Sequence, residues 1–489
     1  MLLAAPAHAA TDPVVVTGAG DFAGTTTGGI HSFKGIRYGR AARFQPPMPE
    51  IHPGTRIAAT EFGPVASQAS ARYRPQSEDC LFLNIWTADL QPRARKPVMV
   101  YFHGGAYLSG SSTDPLNDGH ALAGHDVVVV TVNHRLNALG YLYLARIDPR
   151  FPDSGNAGQL DLVLALQWVR ANIAAFGGDP GNVTLFGQSG GGAKIATLMG
   201  MPAAQGLFHR AITMSGQQVT ASGPINATAR ARAFLGKLQR DPATAPVEML
   251  VEALAAVDPI IGGGVYFGPV LDMRSLVRHP FWPDANPQSN AIPMLLGNTR
   301  DEARAFLPTG SPKLQGLTWD NLAAVMAPEL RVDIHPEWVV AQYRARYPGW
   351  APRDVLWDAV TAARSWRGQV EEAQARAAAA APTWVYQLNF VDPARPDAGA
   401  MHTMDIALAF GTLAHPSSPT GNSPAAALAS AAMMAAFAGF ARTGVCKWPQ
   451  YRAPSRATML FDAVSRLEND PRRWQRELFA RVPYIQPGT

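Results

Sequence analysis

The stretch Gly187-Gln188-Ser189-Gly190-Gly191 constrains this chain more than any other. It follows a β-branched, apolar run, Val183-Thr184-Leu185-Phe186, and leads through Gly192-Ala193 into a helix-like segment that ends near Met201-Pro202. A serine flanked by glycines on a strand-to-helix turn is the nucleophile-elbow pattern. The turn is sharp, so its neighbours must be small. It lifts the hydroxyl clear of a sheet and sets it at a helix N-terminus, where developing negative charge is stabilised. Five residues alone are a weak signal in a chain with 44 glycines among 489 residues, so the surroundings must agree.

They do agree. Strand-like runs at Val98–Phe102, Val127–Val132, Val183–Phe186, Ala211–Met214, Met294–Leu296 and Thr383–Phe390 alternate with helix-like ones such as the amphipathic stretch Leu160–Phe176. This alternation predicts a large, mostly parallel central sheet with helices on both faces. Residues 14–37, rich in Val, Thr and Gly, suit a small antiparallel element at the N-terminal edge. Two long inserts, roughly 220–290 and 308–380, interrupt the alternation and are expected over the site. The second ends in a helix-like run through Ala377–Ala381, stopped by Pro382. Residues 11–489 read as one α/β unit. Hydrophobic residues make up 47% and charged ones 16%, enough for a substantial core.

Mild basicity by itself decides nothing about partners. The net charge of +5 comes from scattered arginines with no basic stripe for nucleic acid. No apolar run approaches the roughly 20 residues that span a bilayer. Ala425–Phe440 reads as a core helix, with Met433, Met434, Phe437 and Phe440 on one face. Cys80 and Cys446 are the two cysteines, and neither has metal-ligand spacing. Met1–Ala10, with its Ala7-His8-Ala9 pattern, predicts the tail of a secretory signal and hence export; the competing reading is a frayed, Ala-rich terminus.

A nucleophilic serine needs a base and a carboxylate to orient that base. On this topology they follow in the order Ser, acid, His, each at the C-terminal end of a strand. Beyond Met294–Leu296 lie Asp301 and Glu302; beyond the strand ending at Phe390 lies His402. Either acid fits the position, and His415 is the nearest rival histidine. His402 is favoured because it follows the last strand expected. Oxyanion donors are expected from His103-Gly104-Gly105-Ala106 after Val98–Phe102, through the N–H groups of Gly105 and Ala106, joined by Gly190.

With these residues assembled, the chain resembles the type B carboxylesterases, the cholinesterase-like branch of the α/β-hydrolases. The resemblance runs through Ser77–Trp86, Val98–Ser112, Asn133-His134-Arg135-Leu136, Gly155–Gly192, Pro269–Asp272, Asp301-Glu302, His402–Gly411, Phe440–Gly444 and Trp448-Pro449. It implies a carboxylic-ester hydrolase with Ser189 as nucleophile, His402 as base and Glu302 as acid. It further implies oxyanion donors at Gly105, Ala106 and Gly190, and supporting roles near the triad for Gln188, Ser215 and Asp405. The implied substrate is a small-molecule ester, with no metal or organic cofactor. Two ion pairs are implied beneath the site, Arg43 with Glu78 and Arg135 with Asp161.

The chain departs from this family in five places, one of them Gly35–Phe44, which is shorter than the family's usual Pro-rich version. Gln188 stands where Glu is common, and Gly190 where Ala is common. No cysteine in Gly63–Gln68 is available to bridge Cys80, which is therefore expected as a free thiol. The loop before Glu78 lacks the tryptophan that cholinesterases offer a quaternary ammonium, and carries Arg72 and Arg74 instead. Neutral esters of short to medium acyl chains are therefore expected to be better substrates than choline esters. A non-catalytic adhesion protein of the same branch is the rival reading, and typically lacks a triad member that is present here. Lipase, aryl or polyester esterase and detoxifying esterase remain open, because variable loops build the pockets.

Overall fold

Mostly buried apolar segments, many of them β-branched or aromatic, build the centre of the molecule. The computed structural model describes residues 12–486 and 488; the export reading of Met1–Ala10 falls outside them. An eleven-stranded sheet dominates. Its centre is a continuous parallel run, in the spatial order Val128–Val132, Lys96–Phe102, Gly178–Gln188, Arg210–Met214, Met294–Thr299, Thr383–Leu388 and Ala457–Phe461. Antiparallel strands extend it at both edges: Phe82–Thr87, Ile30–Arg37 and Thr25–Thr27 on one side, Arg466–Asn469 on the other.

Side-chain alternation along a strand assigns each residue to one face. Val98, Val100 and Phe102 point into a core shared with the helices Ala157–Asn172 and Gly190–Leu198. Met99 and Tyr101 point the other way, into a core shared with Met404–Phe410 and Pro424–Thr443. The sheet is thus covered on both faces, as parallel sheets require.

All six strands read from the sequence are strands of this sheet; of the N-terminal residues, Thr25–Thr27 pairs antiparallel with Ile30–Arg37 at its edge, while Val14–Thr17 and Gly20–Ala23 pair antiparallel in a separate three-stranded sheet. Three details differ. The helix Ala157–Asn172 is not amphipathic: it is buried on nearly all sides, because it lies beneath the site, where Asp161 accepts a buried ion pair from Arg135. His402 does not follow the last strand, since Ala457–Phe461 and Arg466–Asn469 continue the sheet beyond it. The helix Pro424–Thr443 does have the length and apolarity of a membrane span, with a mean hydropathy of 1.6. Its Met433, Phe437 and Phe440 are nonetheless fully buried against the sheet.

Both inserts close over the C-terminal ends of the strands. The helices Pro224–Leu238 and Val247–Ala253 pack into a cluster that includes Tyr107, the residue after Ala106. The helices from Leu322 to Val360 pack on Ala303 and Leu307, immediately after Glu302. Cys80 and Cys446 are both free and buried.

Candidate active site

Four strands of the parallel run deliver the site. Ser189 follows Gln188, the last residue of Gly178–Gln188, and adopts φ 55° and ψ −125°, a conformation L-residues avoid. Two contacts hold it there: its N–H donates to Met214 O at 2.7 Å, and its carbonyl accepts from Ala193 N at 3.1 Å. The turn is tight enough that a Cβ on Gly191 would sit 1.9 Å from Phe102 O. Only glycine fits there.

Glu302, just past Met294–Thr299, is fully buried. Its Oε2 accepts a very short hydrogen bond from His402 Nδ1. Its Oε1 accepts from Ser215 Oγ at 2.5 Å, Thr299 N at 2.8 Å and Asn298 Nδ2 at 3.2 Å. Burial alone would raise its pKa. The charge and hydrogen bond of His402, with those of Ser215 and Thr299, outweigh burial and hold it below the ordinary carboxylate value. With Nδ1–H committed to Glu302, the hydrogen-bond network assigns His402 the tautomer whose Nε2 is a free acceptor.

That Nε2 lies 3.2 Å from Gln188 Nε2. Among the described residues the Ser189 hydroxyl makes no hydrogen bond, to His402 or to anything else. Histidine and acid are thus joined, and serine and histidine are not. Such contacts commonly tighten only once substrate is bound.

Gly105, Ala106 and Tyr107 have φ of 96°, 50° and 64°, a left-handed run that turns successive N–H groups one way. The N–H groups of Gly105, Ala106 and Gly190 have no acceptor among the described residues. A Cβ on Gly190 would lie 2.8 Å from Ala106 N, so the loop and the elbow are in close approach. Gln68 braces this loop, donating to Gly110 O at 3.0 Å and accepting from Gly110 N at 2.9 Å. It lies in the segment that lacks the family's cysteine.

The other sequence candidates have different surroundings. Asp301 accepts from Ala400 N at 2.8 Å and pairs with Arg300, away from the imidazole. His415 bonds Ser417 within its own loop. Asp405 is buried and bonded to Tyr386 Oη at 3.3 Å; burial, then the charge of Glu302, raise its pKa to about 7. Both expected ion pairs form: Arg43 Nε with Glu78 at 2.6 Å, and Arg135 with Asp161 at 2.6 Å.

Sequence reasoning missed three side chains. Lys194 is wholly buried, with Nζ donating to His103 O at 3.0 Å, and burial pulls its pKa to about 7. Its place five residues after the nucleophile was the available signal. Phe306 lays its ring 4.9 Å from that of His402. Arg364 places its guanidinium 4.3 Å above the Phe306 ring. Beside the elbow, a cleft of about 310 Å³ is lined by Arg72, Tyr73, Gly104, Gly105, Gln188 and Thr403.

This fold, with a strained serine at a strand–helix elbow facing open backbone donors, defines a serine hydrolase of the α/β-hydrolase class. The chain belongs to the carboxylesterase family, which it matches over residues 11–476, and it is a carboxylic-ester hydrolase. It is 33% identical to the para-nitrobenzyl esterase of Bacillus subtilis (strain 168), across 96% of this chain and 98% of that protein. The carboxylesterase Est55 of Geobacillus stearothermophilus superposes with a TM-score of 0.84 at 34% identity, covering 95% of this chain and 99% of that one. An esterase of Clostridium hathewayi, described as able to hydrolyse aliphatic aromatic polyesters, superposes with a TM-score of 0.78 at 34% identity, covering 96% and 98%.

Proposed function

We propose that Ser189, His402 and Glu302 are the catalytic triad of this esterase, and that Gly105, Ala106 and Gly190 form its oxyanion hole. Ser189 Oγ attacks the acyl carbon while its proton passes to His402 Nε2. The tetrahedral oxyanion is held by the three N–H groups, and collapse expels the alcohol, protonated by His402. Water, activated by the same imidazole, then attacks the acyl-enzyme, and the acid leaves with Ser189 restored. Glu302 keeps Nδ1 protonated and stabilises the imidazolium. In the resting arrangement His402 Nε2 faces the Gln188 amide; the base step requires Nε2 to turn from that contact to the serine.

The observation that carries this reading is the Glu302–His402 bond at the edge of the sheet that also presents the strained Ser189. Ser189→Ala is expected to lower kcat by about 10⁶, the loss seen when triad members act as a unit. A phosphonate ester should label Ser189 alone. Retention of most activity, or labelling of another serine, would overturn the assignment.

Neutral esters of short to medium acyl chains are the proposed substrates, in preference to choline esters. Gln188 is neutral where a carboxylate would attract a cation, and Arg72 stands in the cleft beside it. Export from the cytoplasm is proposed on the Ala7-His8-Ala9 pattern alone.

A further inference from the structure

Arg364 stands out among the cations of this protein. Most arginines are paired: Arg43, Arg135, Arg230, Arg472 and Arg476 all meet carboxylates. Arg364 makes no hydrogen bond and no ion pair with any described residue, and its one described contact is the face of Phe306. It is largely enclosed all the same. Burial, then the like charge of Arg331, pull its pKa down to about 10, which still leaves it protonated at neutral pH.

Its place in the fold is as informative as its lack of a partner. The centroid distances of 4.3 Å from Arg364 to Phe306 and 4.9 Å from Phe306 to His402 put the guanidinium within about 9 Å of the imidazole. Phe306 is 38% exposed, whereas His402 itself is buried. The helix here is wound as a π-helix over Thr361–Trp366, between the α-helices Pro352–Val360 and Arg367–Ala378. Such interruptions recur at functional sites. Arg331, at the C-terminus of Leu322–Leu330, is a second cation without a described partner; it is exposed, and its like charge adds to the effect of burial on Arg364.

The acids nearby are committed elsewhere. Glu329 pairs with Lys313, and Glu302 is saturated by His402, Ser215 and the backbone. The remaining neighbours are the phenols of Tyr266 and Tyr484. A largely enclosed guanidinium with no carboxylate partner costs stability unless something anionic visits it. A guanidinium fork matches a carboxylate with two parallel hydrogen bonds.

We propose that Arg364, supported by Arg331, forms an anion subsite, and that the preferred substrate of this esterase carries a free carboxylate a few bonds from the scissile ester, as in the half-ester of a short dicarboxylic acid. The proposal rests on the triad reading above and sharpens its substrate class. The ordering expected is anionic ester over neutral ester over cationic ester.

Matched 4-nitrophenyl esters test it, with acyl chains ending in carboxylate (hydrogen glutarate), methyl (pentanoate) or trimethylammonium. A second pair, 4-carboxyphenyl and 4-carbamoylphenyl butyrate, places the charge on the alcohol side. In at least one series kcat/KM for the carboxylate ester should exceed that of the neutral ester by about tenfold, the worth of one charge-assisted hydrogen bond. That preference should shrink as salt is added. Arg364→Met should cut the carboxylate-to-neutral ratio by about tenfold or more. A ratio at or below one in both series overturns the proposal, as does an Arg364→Met ratio within about twofold of wild type. Should that variant not fold, the wild-type ratios decide alone. Failure of the triad reading looks different: the neutral ester would itself not turn over, or would survive Ser189→Ala.

Discussion

Glu302 and Asp405 are two buried carboxylates near one imidazole, and their hydrogen bonds separate their roles. Glu302 is bonded to Nδ1 of His402 and held ionised by four donors. Asp405 bonds Tyr386, and its Oδ1 has no partner among the described residues. Removing the charge of Glu302 leaves the imidazolium unsupported and frees the wrong tautomer. Glu302→Gln should therefore lower kcat by about 10⁴, as loss of the orienting acid does in other triads. Asp405→Asn keeps the shape of a group whose pKa already lies near 7, and should cost less than about tenfold in kcat at pH 7. The reverse ranking, read from kcat at saturating ester, would move the acid role to Asp405. Ser189 and the Asp301-Glu302 pair were visible because each lies just beyond a strand, but strand position left the two acids open and only the family resemblance favoured Glu302; His402 was favoured as following the last strand, although two more strands follow it. Arg364 and Phe306 were not legible, since an insert and a strand-end loop meet only in three dimensions.

The elbow is the element in which sequence and geometry agree most closely. Gly190 and Gly191 look interchangeable in sequence, yet their surroundings differ. A Cβ on Gly191 would meet Phe102 O at 1.9 Å and Phe102 C at 2.8 Å, rigid backbone of the neighbouring strand. A Cβ on Gly190 would meet Ala106 N at 2.8 Å and Ala106 Cα at 3.1 Å, also backbone but less crowded than at Gly191. Gly191→Ala should destabilise by about 3 kcal/mol, the upper end of the overpacking range, because helix and strand must separate. Gly190→Ala, which installs the residue common in the family, should cost less stability than Gly191→Ala, and any change in kcat should report how far the Ala106 donor moves. Urea midpoints and kcat, measured together, check both; equal midpoints would show that Gly191 is not the tight crossing. The same contrast explains which strands were legible. The six central ones are short, β-branched and bounded by turn residues. Phe82–Thr87 was visible as a motif but not as a strand, Ala457–Phe461 was missed although Met459-Leu460-Phe461 is as apolar as Met294-Leu295-Leu296, and the exposed Arg466–Asn469 carries no apolar run.

At the scale of the whole molecule, Glu372, Asp405 and Lys194 are buried ionisable groups that form no ion pair and titrate nearest neutral pH, so they shape how stability follows pH there. Glu371 and Glu372 are adjacent on one helix and indistinguishable in sequence. Glu371 pairs with Arg367 at 2.6 Å, whereas Glu372 points inward, with Oε1 accepting from Gln218 N at 2.6 Å and Oε2 unpartnered. Burial raises the Glu372 pKa to about 8. A carboxyl whose folded pKa lies above its unfolded one holds its proton more tightly when folded. Its contribution is complete below the unfolded value near 4.5 and is lost as pH rises towards 8. Asp405, raised to about 7, acts with the same sign between its ordinary value and 7. Lys194, lowered to about 7, acts oppositely: stability rises with pH above 7, as the unfolded chain keeps a proton the folded one has released. The net profile therefore cannot be assigned to one group, but a difference profile can. Glu372→Gln copies the protonated acid and has nothing to titrate. Its urea midpoint should match wild type near pH 5, and its advantage should grow to about 2–4 kcal/mol by pH 8 and then level off. Parallel profiles from pH 5 to pH 9 would mean that Glu372 is solvated, or finds a cation, as the pH rises.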